Sequence, residues 1–157
     1  MAQATLSINQ YSWAGVPSIT TINGGTIIAK DIAIRLCAST ADYDNSITIN
    51  GGTIIGKRAV WIHLTGSNAA VAPKATLTVN AGTLTGTSGL AIYSYSYGNS
   101  FTATNVTLAG GTFEGDVQFG GGYKGDTENV TVTGGTFNGY LGRWLENDGW
   151  EDIAKPE

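Results

Sequence analysis

Cysteine is nearly missing from this chain. Cys37 stands alone, so no internal disulfide can form, and the compartment stays unspecified. It follows Ile34-Arg35-Leu36 and reads as a small core residue. Histidine is equally scarce. With His63 as the sole copy, a His-cluster metal site is excluded and a His-based catalytic triad is disfavoured. No apolar run approaches 18 residues, so no membrane-inserting helix is expected. Charge is thin at 13%, and the few Lys and Arg form no basic stripe, which argues against a nucleic-acid partner. Proline occurs 3 times. Glycine occurs 23 times without a three-residue period, which excludes collagen, and 41% hydrophobic content excludes disorder. The start lacks a basic segment and an apolar segment of the signal-peptide kind. The end, Lys155-Pro156-Glu157, reads as entry into another module, so a fragment of a larger extracellular or cell-surface chain is expected.

What the chain does have is repetition. Ile47-Thr48-Ile49-Asn50-Gly51-Gly52-Thr53-Ile54 has counterparts at residues 20–27, 77–84, 106–113 and 130–137. Taking Gly25, Gly52, Gly82, Gly111 and Gly135 as marks, the steps are 27, 30, 29 and 24 residues. A motif recurring at such intervals marks a solenoid, in which each repeat buries its apolar face against the next. Before the glycines the alternation is that of a strand: Ile47 and Ile49 point one way and Thr48 the other, and the later repeats follow. After them, Ile27, Ile54, Leu84, Phe113 and Phe137 fall in one column, and Thr26, Thr53, Thr83, Thr112 and Thr136 in another. The glycines supply a sharp bend. Asn23, Asn50 and Asn80 precede it at equivalent positions, where stacked amides form a ladder; Ala109 and Thr133 end that ladder. A second apolar segment follows in each repeat: residues 32–36, 60–64, 90–93 and 117–119. Loops of varied length close the coils.

The fold expected is all-β: a parallel β-helix, or single-stranded β-solenoid, of about five coils with end caps. Residues 1–17 are expected to form an N-terminal partial rung, 18–139 the repeats, and 140–157 a C-terminal cap. Within that cap, Tyr140, Leu141, Trp144 and Leu145 are spaced by 3 and 4, which predicts a short helical or irregular segment. Ala4 to Asn9 copies Ala75 to Asn80, which places it as a first-segment strand.

The Thr-Ile-Asn-Gly-Gly-Thr-Ile and Val-Thr-Val-Thr-Gly-Gly-Thr-Phe units over residues 18–139 resemble those of bacterial surface proteins with pectin-lyase-like, right-handed parallel β-helices. Gly-Gly-Thr-Phe followed by a Trp- and Tyr-bearing cap also resembles repeats of phage and other large extracellular structural proteins. The resemblance implies the fold, and a group that includes adhesins, carbohydrate-binding repeats, virion fibres and polysaccharide lyases. A lyase or glycosidase on this fold needs carboxylates on adjacent coils. No carboxylate pair matches in offset here, so no enzyme and no catalytic residue is expected. Asp42, Asp44 and Asn45 place oxygen ligands in one turn and are the candidates for calcium; no other cofactor is implied.

The stronger candidate site is aromatic. If Val60, Ile62, Leu90 and Ile92 face inward, Trp61, His63, Tyr93 and Tyr95 face outward, with Arg35 and Gln118 on the same sheet in flanking coils. Ring faces beside polar donors suit a sugar. Equal offsets of 11 after the second glycine pair His63 with Tyr93. The same residues also suit packing beneath a loop or a subunit contact. The function expected is a non-catalytic structural or adhesive module that binds a polysaccharide or host glycan. The alternatives are a phage virion fibre or decoration module, which requires a stable homotrimer, a polysaccharide-cleaving enzyme, and an ice-binding solenoid built on the outward threonines.

Overall fold

The computed structural model describes residues 8–11, 17–38, 44–64, 74–96, 102–120, 127–145 and 148–157. Among these there is no helix. Each repeat places one strand in a five-stranded parallel sheet, turns at the glycines, and continues into a nine-stranded sheet, as a longer strand in the middle repeats. The small sheet holds β2 (Ile19–Ile22), β5 (Asp44–Ile49), β7 (Lys74–Val79), β9 (Thr102–Leu108) and β11 (Thr127–Val132), stacked in that order. The large sheet runs through β1 (Ile8–Tyr11), β4 (Ile32–Ala38), β6 (Thr53–Leu64), β8 (Thr83–Ser96), β10 (Thr112–Phe119), β13 (Leu141–Leu145) and β14 (Gly149–Asp152). The short β3 (Thr26–Ile28) and β12 (Thr136–Phe137) pair with β6 and β10.

The result is a parallel β-solenoid of about three turns rather than five coils. The shortfall lies in the terminal repeats. There the post-glycine strand shrinks to three residues in β3 and two in β12, whereas β6 and β8 run for 12 and 14.

The core lies between the sheets and follows the alternation. Ile47, Ile49, Leu77, Val79 and Leu108 from the small sheet are fully buried against Ile54, Val60, Leu84, Ile92, Phe113 and Val117 from the large one. Each such side chain contributes about 1.5–3 kcal/mol through burial. The predicted columns are present in register: Ile27, Ile54, Leu84, Phe113 and Phe137 are successive ladder partners. Strands about 4.8 Å apart force the last two rings face to face. Phe113 and Phe137 stack with centroids 4.7 Å apart and planes 5° from parallel.

The turn is held by the same stacking. Asn50 donates from Nδ2 to Asn23 Oδ1 at 2.9 Å, and Asn80 to Asn50 Oδ1 at 2.8 Å. The second glycine of each turn has φ between +88° and +111°, a region that side chains strain to enter. From Gly52 onward that glycine also rests against the carbonyl of its counterpart one rung back.

Two local expectations are corrected. The segment after Tyr140 forms a β-hairpin, with β13 parallel to β10 and β14 antiparallel to β13. Leu141 faces the core, while Trp144 meets Trp150 edge-on at 5.6 Å, so its apolar residues serve two faces of a strand. Lys155 then donates from Nζ to the Phe137 and Gly139 carbonyls, at 3.3 and 2.8 Å. The second correction concerns the first strand. β1 joins the large sheet, with Ile8 opposite Ile34, and so takes a second-segment place. Asn9 lies opposite Arg35 and Asn23 stacks on Asn50, so the 14-residue step from Asn9 to Asn23 answers to the 15-residue step from Arg35 to Asn50, which leads from a second segment through the next first segment.

Candidate functional site

The second half of β6 gives the site its register. Val60 and Ile62 are fully buried, so the strand's alternation turns Trp61 and His63 to the outer face of the large sheet. Their neighbours follow from the ladder. Arg35 on β4 lies opposite Trp61, Tyr93 on β8 lies opposite Trp61 from the other side, and Gln118 on β10 lies opposite Tyr93. Arg35, Trp61, Tyr93 and Gln118 therefore form one row across four strands, roughly 14 Å long at the usual strand spacing.

Counting from the glycines pairs His63 with Tyr93. The ladder instead sets Trp61 beside Tyr93 and His63 beside Tyr95. β8 places Thr87, Ser88 and Gly89 between Gly86 and Leu90, where β6 has Lys57 alone between Gly56 and Arg58. The two extra residues are absorbed in a bulge, with Gly89 at φ +95° and Ser88 Oγ donating to the Lys57 carbonyl at 2.6 Å. Tyr95 is placed by its backbone only; its side chain, like that of Asp44, lies outside the described residues, as do Asp42 and Tyr97.

The rings and cations are layered. Trp61 and His63 stack at 4.3 Å with planes 12° apart. The Arg35 guanidinium sits 4.8 Å over the Trp61 ring, and Arg58 lies 5.4 Å from both the Trp61 and Tyr93 centroids. Arg35 Nη2 donates to His63 Nδ1, which leaves the ring proton on Nε2. Burial and then the Arg35 charge lower the His63 pKa from 6.5 to about 4, so the ring is neutral at pH 7.

Exposure divides the row. Trp61, Tyr93, Arg35, Arg58 and Gln118 are half-buried and keep open surface. His63 points outward yet retains only 7% of its surface, so it supports the Trp61 ring and does not present itself to a ligand. Cys37, expected in the core, occupies the outward position opposite His63; it is buried at 1% yet stands apart from the core cluster.

Arg58 is a residue that sequence reasoning missed as part of this face. Its offset from the second glycine, 6 residues, equals that of Asp31 one rung back. The ladder pairs it with Ile32 instead, and only its backbone N–H meets the Asp31 carbonyl, at 3.3 Å. The signal available was its place three residues before Trp61. Aromatic groups further along the same face were missed too. Gln118 pairs with Gly142, Tyr140 lies across Gly142, and Trp144 opposite Trp150 shares that side. Trp150 is 42% exposed and forms edge contacts with Trp144 and, at 6.3 Å, with Tyr140.

Asn45 has another task. It is fully buried, accepts from the Ser18 N–H at 3.2 Å and donates to the Cys37 carbonyl at 2.8 Å, tying β5 to the end of β4. Among the described residues no three His, Cys, Asp or Glu side chains gather as metal ligands. A cavity of about 250 Å³ near the last rung is lined by Val130, Arg143, Glu151, Asp152, Ile153 and Ala154, away from the aromatic row. The Arg143–Glu151 ion pair in it, 2.7 Å long, is half-exposed and adds little stability.

Chemically, the row offers ring faces, guanidinium donors and an amide. Near neutral pH its one histidine holds a fixed tautomer. Comparison with protein-family models, with curated proteins and with solved structures finds no match.

Proposed function

We propose that this chain is a non-catalytic, structural or adhesive solenoid module of a bacterial surface or secreted protein, and that it binds a glycan along the outer face of its large sheet. One observation carries the reading: Arg35, Trp61, Tyr93 and Gln118 stand in ladder register on four successive strands. A rigid sheet holds them at fixed spacing, so little ordering entropy is lost when a ligand with a repeating pattern lies across them. Half-buried aromatic rings beside hydrogen-bond donors suit the apolar faces and rim hydroxyls of pyranose rings. The neutral His63, stacked behind Trp61, holds the indole in place and adds no third positive charge to the face.

A glycan array followed by calorimetry tests this. Wild type should bind at least one polysaccharide class, and Trp61→Ala should weaken that binding by about tenfold or more, the scale of losing one stacked ring at a binding surface. Circular dichroism of the variant should be unchanged. Absence of binding by the wild type to every sugar at millimolar concentration removes the proposal.

A further inference from the structure

We infer that the ligand of this face carries an oxyanion, a carboxylate or a sulfate group, seated against Arg58 and Arg35; the inference rests on the glycan reading above and names its chemical class. Two guanidinium groups share one indole, with Arg35 at 4.8 Å and Arg58 at 5.4 Å from the Trp61 ring. Like charges gathered around one ring repel, and an anion beside either of them offsets that repulsion. Among the described residues the one ion pair is Arg143–Glu151, and no described carboxylate pairs with either guanidinium. The Nε atoms of Arg35 and Arg58 and the Trp61 indole N–H are shut off from solvent and have no hydrogen-bond partner. Burying cationic donors in this way is costly unless something pairs with the charge.

Among the described residues, the acids on this sheet are committed elsewhere. Asp116 accepts from the Tyr140 N–H at 2.8 Å and from Gln118 Nε2 at 3.1 Å. Glu114 accepts from Asn138 Nδ2 at 2.9 Å. Asp31 is exposed and meets Arg58 through its backbone carbonyl alone. Stacking on aromatic rings offsets part of the cost but leaves the charge in place. Arg35 already gives one terminal nitrogen to His63. Arg58 lies 5.4 Å from both the Trp61 and Tyr93 rings, makes no side-chain hydrogen bond within the described residues and is half-buried. A sugar ring lying on Trp61 and Tyr93 brings a carboxylate or sulfate on its rim to that guanidinium. The planar fork of arginine accepts such a group with two parallel hydrogen bonds. A neutral sugar at the same place leaves both cations uncompensated.

The test is calorimetric titration of the full chain with a panel of uronic-acid oligosaccharides. The panel contains glucuronate, galacturonate and mannuronate, each beside its carboxyl-reduced neutral form, and sulfate esters of the same neutral chains. At low salt the best acidic member should bind about tenfold or more tighter than its neutral counterpart, as expected for one charge-assisted contact. The gap should narrow as salt is raised. Whether the carboxylated or the sulfated form gains identifies the oxyanion. Arg58→Gln should bring acidic and neutral members to similar affinity, and Arg58→Lys should restore part of the preference. Acidic and neutral members binding wild type equally well overturns this inference and leaves the glycan reading standing. No member binding overturns both. Arg58→Gln that lowers the melting temperature while keeping the acidic preference assigns the arginine to packing and also overturns the inference.

Discussion

Replacing the second turn glycine by alanine at two neighbouring rungs separates two costs that usually arrive together. Gly25 and Gly52 have similar backbone angles, φ +88° and +98°. An alanine at either pays about 1–2 kcal/mol for the left-handed region. Loss of backbone freedom in the unfolded chain returns about 0.4–1 kcal/mol of this. The surroundings differ. A Cβ on Gly25 meets nothing within 4 Å. A Cβ on Gly52 lies 2.7 Å from the Gly25 carbonyl oxygen and 3.0 and 3.2 Å from the Gly24 carbonyl carbon and Cα. All three are backbone atoms of the preceding rung, so relief requires the rungs to separate locally. That strains the 2.8 Å bond from the Thr53 N–H to the same Gly25 oxygen. Overpacking adds about 1–3 kcal/mol and the weakened hydrogen bond about 1 kcal/mol. Gly25→Ala should therefore cost about 1 kcal/mol and Gly52→Ala about 3–5 kcal/mol. Gly82, at φ +108° with its Cβ site 2.9 Å from the Gly52 oxygen, should behave like Gly52. In urea unfolding followed by circular dichroism, Gly52→Ala and Gly82→Ala should melt about 1–2 M earlier than Gly25→Ala. Equal midpoints for all three refute the reasoning, because angle strain alone would then account for the glycines.

Asn50 makes two ladder bonds and Asn23 one, so Asn50→Ala should cost about twice what Asn23→Ala does. Each bond is at the low end of about 0.5–1.5 kcal/mol because the amides are exposed; thermal melting of the two single variants that finds no difference between them sinks the ladder as a stabilising device. His63 predicts a pH effect of definite sign. Its folded pKa lies below its ordinary value, so between pH 6.5 and about 4 the unfolded chain holds a proton that the folded chain excludes. The stability it confers is present above pH 6.5 and is lost as pH falls through that window. The urea midpoint of wild type should thus drop more between pH 7 and pH 5 than that of His63→Gln, whose amide oxygen can still accept from Arg35. Parallel drops would show that the imidazole is not held neutral.

Much of the scaffold was legible because the repeat is local chemistry copied at near-constant spacing. The alternation of Ile47, Thr48 and Ile49 sets which side is buried, the glycine column sets the bend, and Asn50 stacks on Asn23 because both precede that bend by the same distance. Counting failed wherever one repeat differed in length from the next. The two extra residues beside Ser88 moved Tyr93 from His63 to Trp61, and nothing in the count of residues says whether an insertion bulges or shifts the strand. Tyr140, Leu141, Trp144 and Leu145 read equally as a helix face or as a strand serving two faces. The edge of β10 favours the strand, because another strand satisfies its row of backbone groups in one regular ladder.

By itself, then, the sequence determined that this chain coils into stacked parallel strands, and which residues fill the core. The identity of each side chain and the period of two along a strand suffice for that. The tertiary structure alone decided what the outer face presents. It placed Arg35, Trp61, Tyr93 and Gln118 in one row, turned His63 from a presented ring into a neutral buried support, and drew Arg58 between two aromatic rings. Apart from the local Arg58–Trp61 and Trp61–His63 contacts, these join residues 25 to 35 positions apart, set by strand register and bulges that no local window of sequence contains.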